Sequence, residues 1–382
     1  MVRTGFILAS LALAAGSAQA QAQTSTSPYT LVDNFDATNF FDEFEFFTDP
    51  DPTRGFVKYV DGATANRDGL AGFSQGGVYL GVDYTNTTTT GRASVRVTSK
   101  KSYTKGLFIA DIPHMPAGAP GTSSCGLWPA FWMFGPNWPT SGEIDIIEGV
   151  NSQTSNSVTL HTAAGCSIAS NAGAAPGTKL VTPNCQGTEG CSQATPASTA
   201  NYGAAFNAAG GGVYVAEWTD AAIKVWFFPR GSALAQQLST PASTPPNTTT
   251  TTTPSPNESP PDPSTFGPPL ALFPSSHSCS ISSHFARHNI VFNTAFCGDW
   301  AGRVWRTDKA CAALAPRCED FVGGTPGAFT EGYWIVKGVR VYQVAGEGGE
   351  KGGEGKGGRF QGRRVRRGRA GGLGGGVGKG RS

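Results

Sequence analysis

The sequence predicts an all-β fold, a jelly-roll sandwich of two antiparallel sheets with one concave face. Short runs of β-branched and aromatic residues recur along the chain, with Gly, Pro, Asn or Asp between them. No long stretch keeps an apolar stripe at i, i+3 and i+4, so extended helices are not expected. Aromatic residues make up 10% of the chain, enough to line one face of such a sandwich.

Taken in chain order, the first segment stands apart from the fold. Met1 to Ala20 has one charge (Arg3), an apolar run from Phe6 to Ala15 and a small-x-small ending at Ala18-Gln19-Ala20. That pattern reads as a secretory signal peptide, so the mature chain is expected to be extracellular. The run is too short to span a bilayer, and no other stretch approaches the ~20 residues a membrane helix needs. No membrane association is expected. Strand-like runs then follow at Gly77–Val82, Ala93–Val97, Gly106–Ile112, Val213–Trp218, Ile223–Phe228 and Tyr333–Tyr342. Each alternates or stays apolar in the manner of a buried strand.

Two composition breaks interrupt this pattern. From about Ala235 to Pro263 the chain is rich in Pro and Thr, a composition that favours extended, solvated chain. A linker between two domains would look like this, and so would a surface loop within one. The stretch from Pro268 to Gln343 is poor in core residues, which favours the loop and a single domain over residues 27–344. From Gly346 to Ser382, ten Lys/Arg stand against three Glu, and 17 residues are Gly. Such a tail cannot bury a core and is expected to be disordered. Its run Arg363-Arg364-Val365-Arg366-Arg367 also fits a processing site. The tail hides an acidic remainder of 19 basic and 24 acidic residues, so nucleic acid is not an expected partner.

Eight cysteines lie beyond the signal segment, none at C-x-x-C spacing, so disulfides are expected rather than zinc or a redox motif. The short loop between Cys311 and Cys318 makes that pair plausible, but spacing alone does not select a connectivity. Sequons at Asn86, Asn247 and Asn257 suit a glycosylated exported chain.

The chemistry is concentrated in Gly142-Glu143-Ile144-Asp145-Ile146-Ile147-Glu148-Gly149. As a strand, this places Glu143 and Asp145 on one face and Ile144 and Ile146 on the other. Strict alternation would bury Glu148 in the core, at a large desolvation cost. A one-residue β-bulge near Ile146-Ile147 returns Glu148 to the acidic face. The two glutamates then lie about four strand steps apart, ~13 Å between Cα atoms. Side chains leaning together approach the ~5–5.5 Å that a retaining glycosidase pair uses, rather than the ~6.5–9.5 Å of an inverting one. A calcium site is the competing reading, but calcium prefers six or more oxygens on flexible loops, and this is an Ile-rich strand.

The motif E-I-D-I-I-E-G, preceded by Cys125-Gly126-Leu127-Trp128-Pro129-Ala130-Phe131-Trp132, resembles glycoside hydrolase family 16, and within it the fungal laminarinases. The resemblance extends over most of residues 28–343. It includes Thr159-Leu160-His161-Thr162, Gly211–Thr219, Val225–Gly231 and Asn293–Gly302. It implies a jelly roll with a long substrate cleft and an endo-1,3(4)-β-glucanase activity. It further implies Glu143 as nucleophile, Glu148 as acid/base and Asp145 between them. Trp132, Trp138, His161 and Trp300 are placed along the cleft by the same likeness, whereas His277 and His284 match nothing. The implied partner is β-glucan, for a monomer without a cofactor; the sequence does not indicate a structural calcium. Two rivals are a wall transglycosylase, whose motif looks more like E-x-D-x-E, and a glucan-binding lectin, which would lack the glutamates.

Overall fold

The computed structural model describes residues 27–239, 260–345 and 362–365. The signal segment, the sequons at Asn247 and Asn257 and most of the Pro/Thr-rich stretch lie outside them. Asn86, the remaining sequon, is exposed. Among the described residues no helix is long and apolar enough to cross a membrane.

Two antiparallel sheets form the sandwich. One runs Tyr29–Asp36, Gly338–Val344, Gly106–Ile112, Gly212–Trp218, Ala222–Pro229 and Ala271–Pro274 in spatial order. The other runs Lys179–Thr182, Cys191–Ala194, Ser157–His161, Glu143–Glu148, Leu127–Phe134, His288–Phe296, Arg96–Tyr103 and Phe44–Phe46. Between them lies the main core, where Phe108, Ile112, Tyr214, Trp218 and Val341 from the first sheet meet Phe131, Met133, Ile144, Ile147 and Phe292 from the second. Alternation sends every second residue of these strands inward, the pattern an aligned sandwich requires. The acidic strand therefore sits centrally in the second sheet, its isoleucines in the core and its carboxylates on the outer, concave face.

Two of the strand-like runs divide between sheets. Ala93–Val97 is broken at Val95: Arg92–Ser94 pairs in parallel with Val57–Tyr59, and Arg96–Tyr103 joins the concave sheet. Tyr333–Tyr342 is broken at Lys337, Tyr333–Val336 pairing with Gly77–Gly81 and Gly338–Val344 pairing with Gly106–Ile112. Both runs are buried on both faces, so hydropathy alone does not reveal where a strand changes sheets.

The Pro/Thr-rich stretch begins as a helix, not as extended chain. Ser232 caps helix Ala233–Leu238 by accepting a hydrogen bond from the Ala235 N–H. Ala235 and Leu238, with Phe266 from the far side of the stretch, cover the outer face of the first sheet against Val213, Val215 and Phe228. Chain leaving Ala222–Pro229 returns as Ala271–Pro274 to pair with it. Both roots of the stretch thus lie on the face away from the carboxylates.

Of the tail expected to be disordered, residues 346–361 and 366–382 lie outside the described residues, and only residues 362–365 are among them. They lie alongside Ala71–Ser74: Phe73 N–H donates to the Arg363 carbonyl and Val365 N–H to the Phe73 carbonyl. Val365 packs on Tyr79, Tyr333 and Ile335. An edge strand has unpaired backbone groups to offer, and one apolar residue among the arginines is enough to seat the segment.

Cysteine pairing also departs from the short-loop expectation. Cys311 bonds Cys125 and Cys318 bonds Cys297, while Cys166–Cys279 and Cys185–Cys191 complete the set. Cys311 and Cys318 both point into a buried cluster with Leu127, Phe296 and Trp305, so each meets a cysteine at the end of a sheet strand, Cys125 just before Leu127–Phe134 and Cys297 just after His288–Phe296, rather than its neighbour.

Candidate active site

Strand Glu143–Glu148 pairs with Leu127–Phe134 on one side, Glu143 opposite Phe134 and Asp145 opposite Trp132. The register then slips: Ile147 faces Phe131 and Glu148 faces Ala130, leaving Ile146 as the extra residue of a bulge. Ile144, Ile146 and Ile147 are all buried in the core, and Glu148 emerges on the face of Glu143 and Asp145. The cost of burying a charge, set against one residue of broken ladder, decides this geometry.

Gly142 sets the entry to the strand. Its φ is +78°, a region side chains avoid, and an added Cβ would strike the Phe285 ring and come within 2.6 Å of the His284 carbonyl oxygen. The chain therefore turns tightly into Glu143.

Each glutamate accepts a hydrogen bond from a tryptophan. Trp138 Nε1–H donates to Glu143 Oε2, and Trp128 Nε1–H donates to Glu148 Oε1 at 2.8 Å. Trp138 is 45% exposed, so one face of its indole is open to solvent at the carboxylate. Trp300, on the π-type turn Gly298–Gly302, meets Trp128 edge to face at 5.8 Å. That turn is held by Cys297–Cys318 and by Asn151, whose Nδ2–H donates to the Ala301 carbonyl. Trp132 lies beside Asp145, its Nε1–H donating to Asn293 Oδ1, with the Arg96 guanidinium 4.8 Å over its ring.

His161 lies opposite Glu143 in the neighbouring strand. Its Nε2 is 3.2 Å from Asp145 Oδ2 and 4.0 Å from Glu143 Oε1. Nδ1 lies 2.8 Å from the Gly187 carbonyl oxygen, and since a carbonyl only accepts, Nδ1 carries a proton. The Cys185–Cys191 disulfide closes the loop that presents this carbonyl.

Burial and charge separate the titrations. Burial, against the hydrogen bond from Trp128, pushes the Glu148 carboxyl up to about 7. Burial pushes Asp145 well above the ordinary carboxylate range, and the charges of Glu143 and Glu148 add to this. Desolvation opposes the His161 charge, but Asp145 and Glu143 outweigh it and raise the imidazole to about 10. The result is a row of acids, one poised near neutrality, beside a histidine that stays cationic there. Donor atoms of Glu143, Asp145 and His161 lie within 4.8 Å of one another, close enough for a cation. In the other such group, Cys166 and Cys279 are already joined to each other and leave only His284.

All the residues singled out in the sequence, Glu143, Asp145, Glu148, Trp132, Trp138, His161 and Trp300, thus gather on one face. Trp128, Arg96 and Asn293 join them without having been singled out, and buried Asn156 bonds the backbone of the acidic strand at Ile146 and Glu148. For Trp128 the signal was present, because four strand steps, an even number, separate it from Trp132 and put it on the same face. Arg96 and Asn293 arrive from other strands and Asn156 from the residue before one, and nothing local marks them.

A profile described as "XgeA-like, catalytic GH16 domain" matches residues 44–342, well over half of the chain. An endo-1,3(4)-β-glucanase of Arthroderma benhamiae is 42% identical over 351 residues, covering 90% of this chain and 69% of that protein. One from Emericella nidulans is 36% identical over 91% of this chain, which spans only 51% of it. Among solved structures, an elongating family 16 β-1,3-glucosyltransferase superposes with a TM-score of 0.69 at 40% identity, covering 82% of this chain and 100% of its own. Laminarinase 16A of Phanerochaete chrysosporium, solved with β-glucans in donor and acceptor sites, gives 0.70 at 38% identity, with 82% and 99% covered.

Proposed function

The chain belongs to glycoside hydrolase family 16, and on that premise we propose that it is an exported, monomeric endo-β-glucanase cutting β-1,3 and mixed β-1,3-1,4 glucans with retention. The observation that carries this reading is the bulge at Ile146, which turns Glu148 out beside Glu143 with its carboxyl pushed up to about 7. Four disulfides suit an oxidising compartment.

In this reading Glu143 is the nucleophile. One of its oxygens attacks the anomeric carbon while the bond to the leaving sugar's oxygen breaks, and Glu148 gives that oxygen its proton. The product is an ester between Glu143 and the sugar. Glu148, now a carboxylate, takes a proton from water, the hydroxide attacks the anomeric carbon, and Glu143 leaves. Two inversions restore the β configuration. A group with a pKa near neutrality suits both halves, since it must hold a proton first and accept one later. Asp145 and cationic His161 lie between and beside the pair, where they set the charge Glu143 experiences without reaching the leaving oxygen. The open faces of Trp138 and Trp300 suit stacking on the apolar faces of glucose rings.

Likeness to a glucosyltransferase supports a second outcome for the same ester, capture by a sugar hydroxyl instead of water. Laminaripentaose separates the two: shorter oligosaccharides alone indicate hydrolysis, longer ones transfer. The catalytic reading itself is tested with Glu143→Gln. It should lose at least ~10³-fold in kcat while still binding laminarin, and an undiminished rate would refute it.

A further inference from the structure

We propose that Asn156 is a positioning residue for Glu148, its side-chain amide standing in for the strand pairing that stops at Asp145 on the side away from the bulge. The inference rests on the reading of Glu148 as the acid/base. Ser157–His161 pairs with the acidic strand only as far as Asp145, opposite Thr159. Beyond it the ladder on that side stops, and the Ile146 carbonyl and Glu148 N–H would be left buried without partners. Asn156 precedes the first residue of the neighbouring strand and reaches back to both. Its Nδ2–H donates to the Ile146 carbonyl at 2.7 Å, and its Oδ1 accepts from the Glu148 N–H at 2.8 Å. A carboxamide presents a donor and an acceptor side by side, as a peptide group does; Asp lacks the donor and Ser offers one oxygen for two groups.

Asn156 is itself fixed and wholly buried. Its N–H donates to Asn201 Oδ1 at 3.2 Å, and its carbonyl accepts from Thr195 N–H and Oγ1, both at 2.9 Å. Asn201 is tied in turn to Thr195 Oγ1 and Thr199 Oγ1, and its carbonyl accepts from the Tyr214 hydroxyl. Since each partner fixes which end of the amide it needs, the orientation is determined by the network. A connected buried network of this kind holds geometry only while all its members are satisfied. Losing the amide frees the bulge, and the Glu148 carboxylate moves off the Trp128 N–H.

The test is Asn156→Leu, near in size and without hydrogen bonds, read by kcat, KM and the pH profile on laminarin. Expected are a fall in kcat of about 10²-fold, the cost of a misplacement near 1 Å, with KM changed less than about threefold. The alkaline limb of the profile should also move to higher pH, as Trp128 no longer supports the ionised form of Glu148. Trp226→Phe, which removes a hydrogen bond to the Gly267 carbonyl on the outer face of the opposite sheet and lies outside this network, should leave both readouts unchanged. A folded Asn156→Leu with wild-type kcat and limb overturns the proposal, and so does an equal loss in Trp226→Phe, which would mark a merely structural role. Should Asn156→Leu not fold, Asn156→Ser satisfies one of the two groups and carries the same readouts at smaller amplitude. Glu148→Gln serves as the reference: if it keeps full activity the acid/base reading fails, whereas its loss beside unaffected Asn156 variants sinks only the positioning role.

Discussion

Glu143 and Glu148 each accept an indole N–H, and the difference between them lies in what surrounds that bond. Trp138 is open to solvent, whereas Trp128 and Glu148 sit together in the wall of the cleft. An N–H pointing at a carboxyl favours the ionised form, so Trp128 holds the Glu148 pKa below where burial alone would carry it. The sign of its removal follows. Trp128→Phe raises the Glu148 pKa above about 7, and the alkaline limb of kcat/KM should move to higher pH with little change in the acid limb. A limb that stays in place, or moves down, would mean that another group controls it. At this scale the carboxylates were legible because a charge in a core is too costly to tolerate. Arg96 and Asn293 were not, because each is one polar residue in a strand and only the assembled sheet brings it to Trp132.

The bulged strand and its neighbours set positions to within a residue. Gly142 begins the strand at positive φ against Phe285 and the His284 carbonyl. Gly142→Ala should therefore cost ~1–3 kcal/mol in stability from strained backbone and displaced neighbours. It should also lower kcat, since Glu143 is the next residue; thermal unfolding and kinetics of the one variant check both, and a neutral effect on each would contradict the account. The bulge was legible as a conflict between a period of two and a charge five residues on. Disulfide partners were not, because Cys125 and Cys297 reach Cys311 and Cys318 only after the sheet and the loop over it have formed. The splits at Val95 and Lys337 were hidden for a related reason, since residues buried on both faces leave no alternation to break.

Over the whole molecule the sandwich divides its labour between faces. Glu143, Asp145 and Glu148, with Trp128 and Trp132, occupy the concave sheet, whereas helix Ala233–Leu238 and Phe266 seal the opposite sheet. Residues 362–365 dock on a third, smaller sheet, where Gly72 leaves room for the Arg363 carbonyl that any Cβ would strike. Gly72→Val should displace that segment. Trypsin cleavage after Arg363 and Arg364 should quicken while hydrolysis of laminarin stays as before; unchanged cleavage would contradict the docking. The composition of the tail gave no sign that an edge strand elsewhere would receive residues 362–365, because edge pairing uses backbone groups that every residue carries. The central claim concerns stereochemistry at the carbon the cleft presents to Glu143. Its most direct test is proton NMR of laminarin in the first minutes of hydrolysis by the purified mature chain. New reducing ends should appear first as the β anomer, with α following by mutarotation; α appearing first would contradict retention and with it the pairing of Glu143 and Glu148.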